Sequence, residues 1–286
     1  MPARRPLSYT LSAWQRCAWP WHPKIRLRLT TGPIHRPPRG ATLLELLIVI
    51  AMIVTLMALL APGLRGARAE SRRAVCLSNL HGVGLATHYY LDDNRGDFWR
   101  YYESRRDGRR WWFGFEPGGP GTGRHRPLDK RQGVLAPYMR SIDDRLQCPA
   151  FPYDAGCFFP KFAARSASYG YNLLLGPPNP RAPVARRDTF VGSMSRVFVF
   201  ADAAHFDHNP GMNEGVYIEY QPDPRNLGGY GHFRHRGRAM VLYMDGHAQG
   251  QSLRGPAHSN ACAGPAGNLT AADGSAAIYG PGAVLP

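Results

Sequence analysis

The chain has 286 residues, 44% of them hydrophobic, enough to build a sizeable core and to exclude wholesale disorder. Its formal charge of +15 raises nucleic acid as a partner, but the charge is unevenly placed. Arg4, Arg5, Arg16, Lys24, Arg26, Arg28, Arg36 and Arg39 carry eight of those charges in a first forty residues without Asp or Glu, leaving an ordinary +7 on the rest.

That basic stretch, with several Pro and Trp and no apolar periodicity, reads as a removable leader or as mis-assigned upstream sequence over 1–40, not as fold. From Ala41 to Ala61 the chain is apolar except for Thr42, Glu45 and Thr55. A helix rising about 1.5 Å per residue makes roughly 30 Å of this run, enough to cross a bilayer. Arg65 and Arg68, between the run and the Ala67-Arg68-Ala69 triplet, argue against a signal-peptidase site there. The preceding basic residues favour a cytoplasmic N-terminus, with everything after Pro62 on the far side.

Glu45 is the informative residue of the run, because a carboxylate in an apolar span costs about 3 kcal/mol and calls for a cation. Cleavage between Gly40 and Ala41 would supply one as the new α-amino group; the alternative is a Glu near the membrane edge reaching headgroups or water. Arg39-Gly40-Ala41-Thr42-Leu43-Leu44-Glu45-Leu46 resembles the prepilin processing motif of type IV pilins and type II secretion pseudopilins. The resemblance implies cleavage after Gly40 by a prepilin peptidase, N-methylation of Ala41 and a docking role for Glu45. Ala41 departs from the family's usual Phe, which bears on methylation more than on cleavage. It implies assembly with other pilin-like subunits into a periplasmic filament, from a single-pass precursor in a bacterial inner membrane.

Pro62 removes one helical hydrogen bond and marks an expected bend. Leu64, Ala67, Val75, Leu77, Leu80, Val83, Leu85 and Ala86 then continue at mostly helical spacing, so 41–62 is expected as filament-core helix and 63–94 as its continuation, ending at Asp92-Asp93-Asn94-Arg95-Gly96. The expected class is α+β: this long N-terminal helix with an antiparallel-sheet head over 95–254 and a mobile tail over 255–286.

Cys76-Leu77-Ser78-Asn79-Leu80, Tyr89-Tyr90-Leu91-Asp92-Asp93-Asn94, Leu135-Ala136-Pro137-Tyr138, Cys148-Pro149, Ser168-Tyr169-Gly170-Tyr171-Asn172 and Val199-Phe200-Ala201-Asp202 resemble, in order, a pilin-like group abundant in planctomycete and verrucomicrobial bacteria. His235, nine residues, then Asp245-Gly246 resembles that group's C-terminal signature. Physically, Ala239 to Met244 reads as a strand and Asp245-Gly246 as a two-residue hairpin turn. A functional alternative would gather Asp202, His205, His235, Asp245 and His247 into a metal or catalytic site, but their spacing fits no zinc motif.

Of Cys76, Cys148, Cys157 and Cys262, the pairing expected in an exported domain is Cys76 with Cys148, tying the helix to the head; the alternative is two buried thiols. Arg105 to Gln132, with Trp111, Trp112 and Phe113 among Arg and Gly, reads as a loop covering a sheet edge, not as a nucleic-acid surface. No phosphate loop, nucleophile elbow or paired-carboxylate pattern occurs, so no catalytic residue, metal or cofactor is expected. The expected role is mechanical, with a membrane-anchored adhesin or an anchored metal-dependent hydrolase as the alternatives.

Overall fold

The structure is a computed structural model that describes Gly40 and residues 42–118, 123–207, 211–219 and 229–252, together with two short strands further on. The leader and Ala41 lie outside the described residues. The chain divides into two units, Met1–Ile53 and Val54–Pro286. The fold is α+β, with one long apolar-to-amphipathic helix followed in sequence by a sheet-rich head.

Helix α1 spans Leu43–Asp93 and continues through Pro62, where the expected bend does not end it; the proline withholds only its own N–H from the ladder. In the first unit, Leu43 to Ile53 expose their side chains all around the helix. The apolar run then continues into the second unit, with Leu56, Met57, Leu59 and Leu60 equally exposed. By length and composition α1 can span a membrane.

Beyond Arg73 the helix becomes one-sided: Cys76, Leu80, Val83, Gly84, Ala86, Thr87 and Leu91 are buried at steps of three and four. Gly84 permits a close approach to the sheet, since a Cβ there would stand 3.0 Å from Leu242 Cδ1. The helix ends where the sequence indicates. Asn94 N donates to Tyr90 O, Gly96 N to Leu91 O, and Arg95 (φ 58°) and Gly96 (φ 81°) turn the chain out through the left-handed region.

The main sheet is built around β5 (Phe198–Asp207), which pairs antiparallel with β4 (Tyr169–Asn172), β6 (Gly211–Glu214), β8 (Gly229–His232) and β9 (Arg238–Tyr243). β7 (Tyr217–Ile218) joins β4 in parallel, and β10 (Ala248–Ser252) closes on β9. The period-two pattern of β9 sorts its side chains between two clusters. Met240 and Leu242 join the larger core with α1, while Ala239, Val241 and Tyr243 pack with Phe198, Ala201 and Phe233. In the larger core Trp99 stacks on Tyr171 and Phe200, and Phe200 meets Tyr171 and Trp112 at tilted angles. Trp112 Nε1 donates to Val216 O and Tyr171 OH to Trp99 O, so these rings bury no unpaired hydroxyl or indole N–H at those two points.

Three expectations change. The Arg105–Gln132 segment is not a loop over a sheet edge: β1 (Tyr102–Arg105), β2 (Gly108–Trp111) and β3 (Gly114–Pro117) form an antiparallel meander whose Trp111, Trp112, Phe113 and Phe115 are core. The Asp245-Gly246 turn is a three-residue loop, Met244 to Gly246, because Tyr243 N bonds His247 O and Leu242 faces Ala248; Gly246 takes φ 89°. Within the segment expected as a mobile tail, β11 (His258–Asn260) pairs with β12 (Gly264–Gly267), which adds to β8.

Candidate functional site

Four segments distant in sequence converge in the second unit. Cys76 comes from α1 and Cys148 from the loop after the short helix α2 (Ile142–Arg145), whose backbone is fixed by Cys148 N donating to Ser168 Oγ at 2.6 Å. Asp202 lies mid-β5. Arg234 and His235 enter from the connection between β8 and β9, which carries a tight turn with reciprocal backbone bonds between His235 and Arg238, in which Arg236 (φ 52°) and Gly237 (φ 77°) both take positive φ. That turn fixes the His235 backbone at its first position, with the ring buried against Cys148 and Asp202.

The ligating atoms of Cys76, Cys148, Asp202 and His235 all lie within 4.8 Å of one another, and all four residues are buried. Cys76 Sγ is 3.4 Å from Asp202 Oδ1, Cys148 Sγ 3.2 Å from His235 Nε2, and His235 Nε2 3.3 Å from Asp202 Oδ2. Around them, Tyr169 OH donates to Cys76 Sγ at 3.4 Å and Met240 N to Asp202 Oδ2 at 2.8 Å. Arg234 pairs with Asp202 Oδ1 and also donates to Ser168 O at 2.6 Å and Ala203 O at 3.1 Å.

Buried charge of this kind persists only when paired. Burial pushes the Asp202 carboxyl up, but Arg234 and His235 outweigh it and hold it below the usual carboxylate range. Burial likewise disfavours the Cys148 thiolate, yet the hydrogen bond from Cys76 and the Arg234 charge bring it down to about 5. His235 would lose its proton on burial alone; bonds to Asp202 and Cys148 raise it to about 9. Cys76 moves the other way, held well up by burial, by its bond to Cys148 and by the Asp202 charge. The arrangement therefore holds two anions, Asp202 and Cys148, against two cations, Arg234 and His235. Chemically it is a donor set of two sulfurs, one imidazole nitrogen and a carboxylate.

A cleft of about 130 Å³ is lined by Ala69, Glu70, Arg72, Arg73, Ala150, Arg234, His235 and Arg236.

The residues singled out in the sequence are distributed as follows. Asp202 and His235 do meet, joined by the two cysteines that the sequence reading set aside as a disulfide. His205 is elsewhere, with Tyr217 OH 3.3 Å from its Nδ1. Asp245 and His247 form a separate pair at the β9–β10 turn, where the His247 ring stacks on Tyr243. Cys76 and Cys148 are brought together but are free thiols, so the expected disulfide is not formed; among the described cysteines, Cys157 is disulfide-bonded. A shared polar network, which the sequence did not reveal, occupies the sulfurs instead.

At the proposed processing point, Gly40 is exposed. Thr42 and Glu45 form a reciprocal cap: Thr42 N donates to Glu45 Oε2 at 2.8 Å and Glu45 N to Thr42 Oγ1 at 3.2 Å. This second use of Glu45 was readable as Thr-x-x-Glu before an apolar run and was missed. No protein-family model, curated protein or solved structure matches the chain.

Proposed function

We propose that the chain is a pilin-like structural subunit, a pseudopilin, cut after Gly40 by a prepilin peptidase and assembled through its N-terminal helix into a periplasmic filament of a type II secretion-like system. The observation that carries the reading is the apolar first half of α1. Its side chains from Leu43 to Leu60 are exposed on every side, from 84% at Leu43 to 45% at Ile53, immediately after the Gly40-Ala41 junction. Such a surface requires lipid or other apolar helices around it. A bilayer serves the precursor, and copies of the same helix serve the filament.

The second half of α1 supports the reading in a different way. Its inward stripe, Cys76, Leu80, Val83 and Leu91, is part of the head's core. Glu45 would share its carboxylate between the Thr42 cap of its own helix and the Ala41 ammonium of a neighbour.

Glu45→Gln separates those two uses, because Gln also completes the cap while the charge is gone. Expressed with the prepilin peptidase and partner subunits, the wild type is expected in the sheared filament fraction, and Glu45→Gln processed but retained in the membrane. Assembly of Glu45→Gln at the wild-type level would overturn the docking role. A wild type that never leaves the membrane fraction would overturn the filament reading.

A further inference from the structure

We propose that Cys76, Cys148, Asp202 and His235 bind a structural divalent cation of the zinc class, which staples the lower half of α1 to the head. The first argument is spacing. A tetrahedral site with metal–sulfur bonds of about 2.3 Å and metal–nitrogen or metal–oxygen bonds of about 2.0–2.1 Å sets its nitrogen and oxygen atoms roughly 3.3–3.4 Å apart, sulfur roughly 3.5–3.6 Å from either, and its two sulfurs roughly 3.8 Å apart. Cys76–Asp202 at 3.4 Å, Cys148–His235 at 3.2 Å and His235–Asp202 at 3.3 Å come within a few tenths of an ångström of those separations, with Asp202 Oδ1 facing Cys76 and Oδ2 facing His235, and one donor atom from each of the four residues lies within 4.8 Å of the others.

The second argument is proton counting. His235 Nε2 faces both Cys148 Sγ and Asp202 Oδ2 but carries at most one proton, so without a metal a single N–H is divided between two acceptors. A metal at the centre satisfies all of these lone pairs together.

The third is charge. Two thiolates and a carboxylate bring three negative charges, a dication leaves one, and Arg234, almost fully buried on the Asp202 carboxylate, cancels it. Tyr169 OH on Cys76 and Met240 N on Asp202 supply the outer hydrogen bonds that orient metal ligands. Two sulfur donors select against calcium and magnesium, which take oxygen. Four protein donors also close the coordination sphere, which marks a structural rather than a catalytic site.

The test uses the full chain purified from membranes in a mild nonionic detergent without chelator. Elemental analysis is expected to find one zinc per chain. After chelation, added Co²⁺ should produce the near-ultraviolet thiolate-to-cobalt charge-transfer band and the intense visible bands of a tetrahedral ion. Cys148→Ser and Asp202→Asn should each lower retained metal at least tenfold. Metal-free protein in which Co²⁺ gives no thiolate band would overturn the assignment, as would full retention of metal by both variants. So would a Cys76–Cys148 disulfide found by peptide mapping under non-reducing conditions. The cobalt spectrum is read on the wild type and does not depend on any variant folding.

Discussion

Leu80 and Leu85 lie five positions apart on α1 and differ in what surrounds them. Leu80 is wholly buried in the main core, whereas Leu85 is 60% exposed. Truncating Leu80 to Ala removes the transfer energy of the lost carbons and leaves a cavity between α1 and the sheet, costing about 2–5 kcal/mol. The same truncation at Leu85 removes atoms that are mostly solvated already, and Ala is the slightly better helix former, so the net cost is below about 1 kcal/mol. A urea titration of the full chain in nonionic detergent, followed by tryptophan fluorescence, reads the difference. With slopes of about 1–3 kcal/mol per molar, a loss of about 3 kcal/mol lowers the midpoint by at least ~1 M for Leu80→Ala. Leu85→Ala should barely move it. Equal midpoints for the two variants would refute the claim that the lower helix is an integral part of the head.

Gly246→Ala should cost about 1–2 kcal/mol, because φ 89° lies in the left-handed region and the new Cβ would also stand 3.3 Å from His88 Nε2; thermal denaturation should show Gly246→Asn suffering less. Cys157→Ser removes a disulfide and should destabilise by about 2–4 kcal/mol, an effect that reductant reproduces on the wild type and does not enlarge in the variant. Arg126→Met takes a cation from Glu116, which is 1% exposed and 2.6 Å away, and should cost on the order of 3 kcal/mol, partly restored by adding Glu116→Gln; chemical denaturation of the single and double variants measures both.

Where local chemistry decides, the sequence was legible. The apolar run, the helix end at Asp92 to Gly96 and the strand over Ala239 to Met244 each follow from short-range pattern, and the structure has α1 ending at Asp93 and β9 at Arg238–Tyr243. The meander over 102–117 was hidden because Trp111-Trp112-Phe113 is a consecutive apolar run that follows neither period, set among arginines and glycines that read as loop. The four-residue cluster was hidden for a different reason. Its contacts join positions 126 residues apart (Cys76 and Asp202) and 87 apart (Cys148 and His235), so no local ligand spacing exists to find. All four residues had been noticed one by one, as landmarks of a resemblance, but only the fold places them around one point. The Arg236-Gly237 turn that holds His235 in place was likewise invisible, since an arginine at φ 52° advertises no turn.

The most direct test of the central claim is the mature N-terminus. Expressed with its prepilin peptidase, the wild-type chain should yield by intact-mass and peptide mass spectrometry a terminus at Ala41, and Gly40→Ala should abolish that cut while leaving the chain in the membrane. An intact leader, or cleavage after Ala69, would contradict pilin-type processing and leave an anchored or exported protein whose apolar helix serves some other purpose.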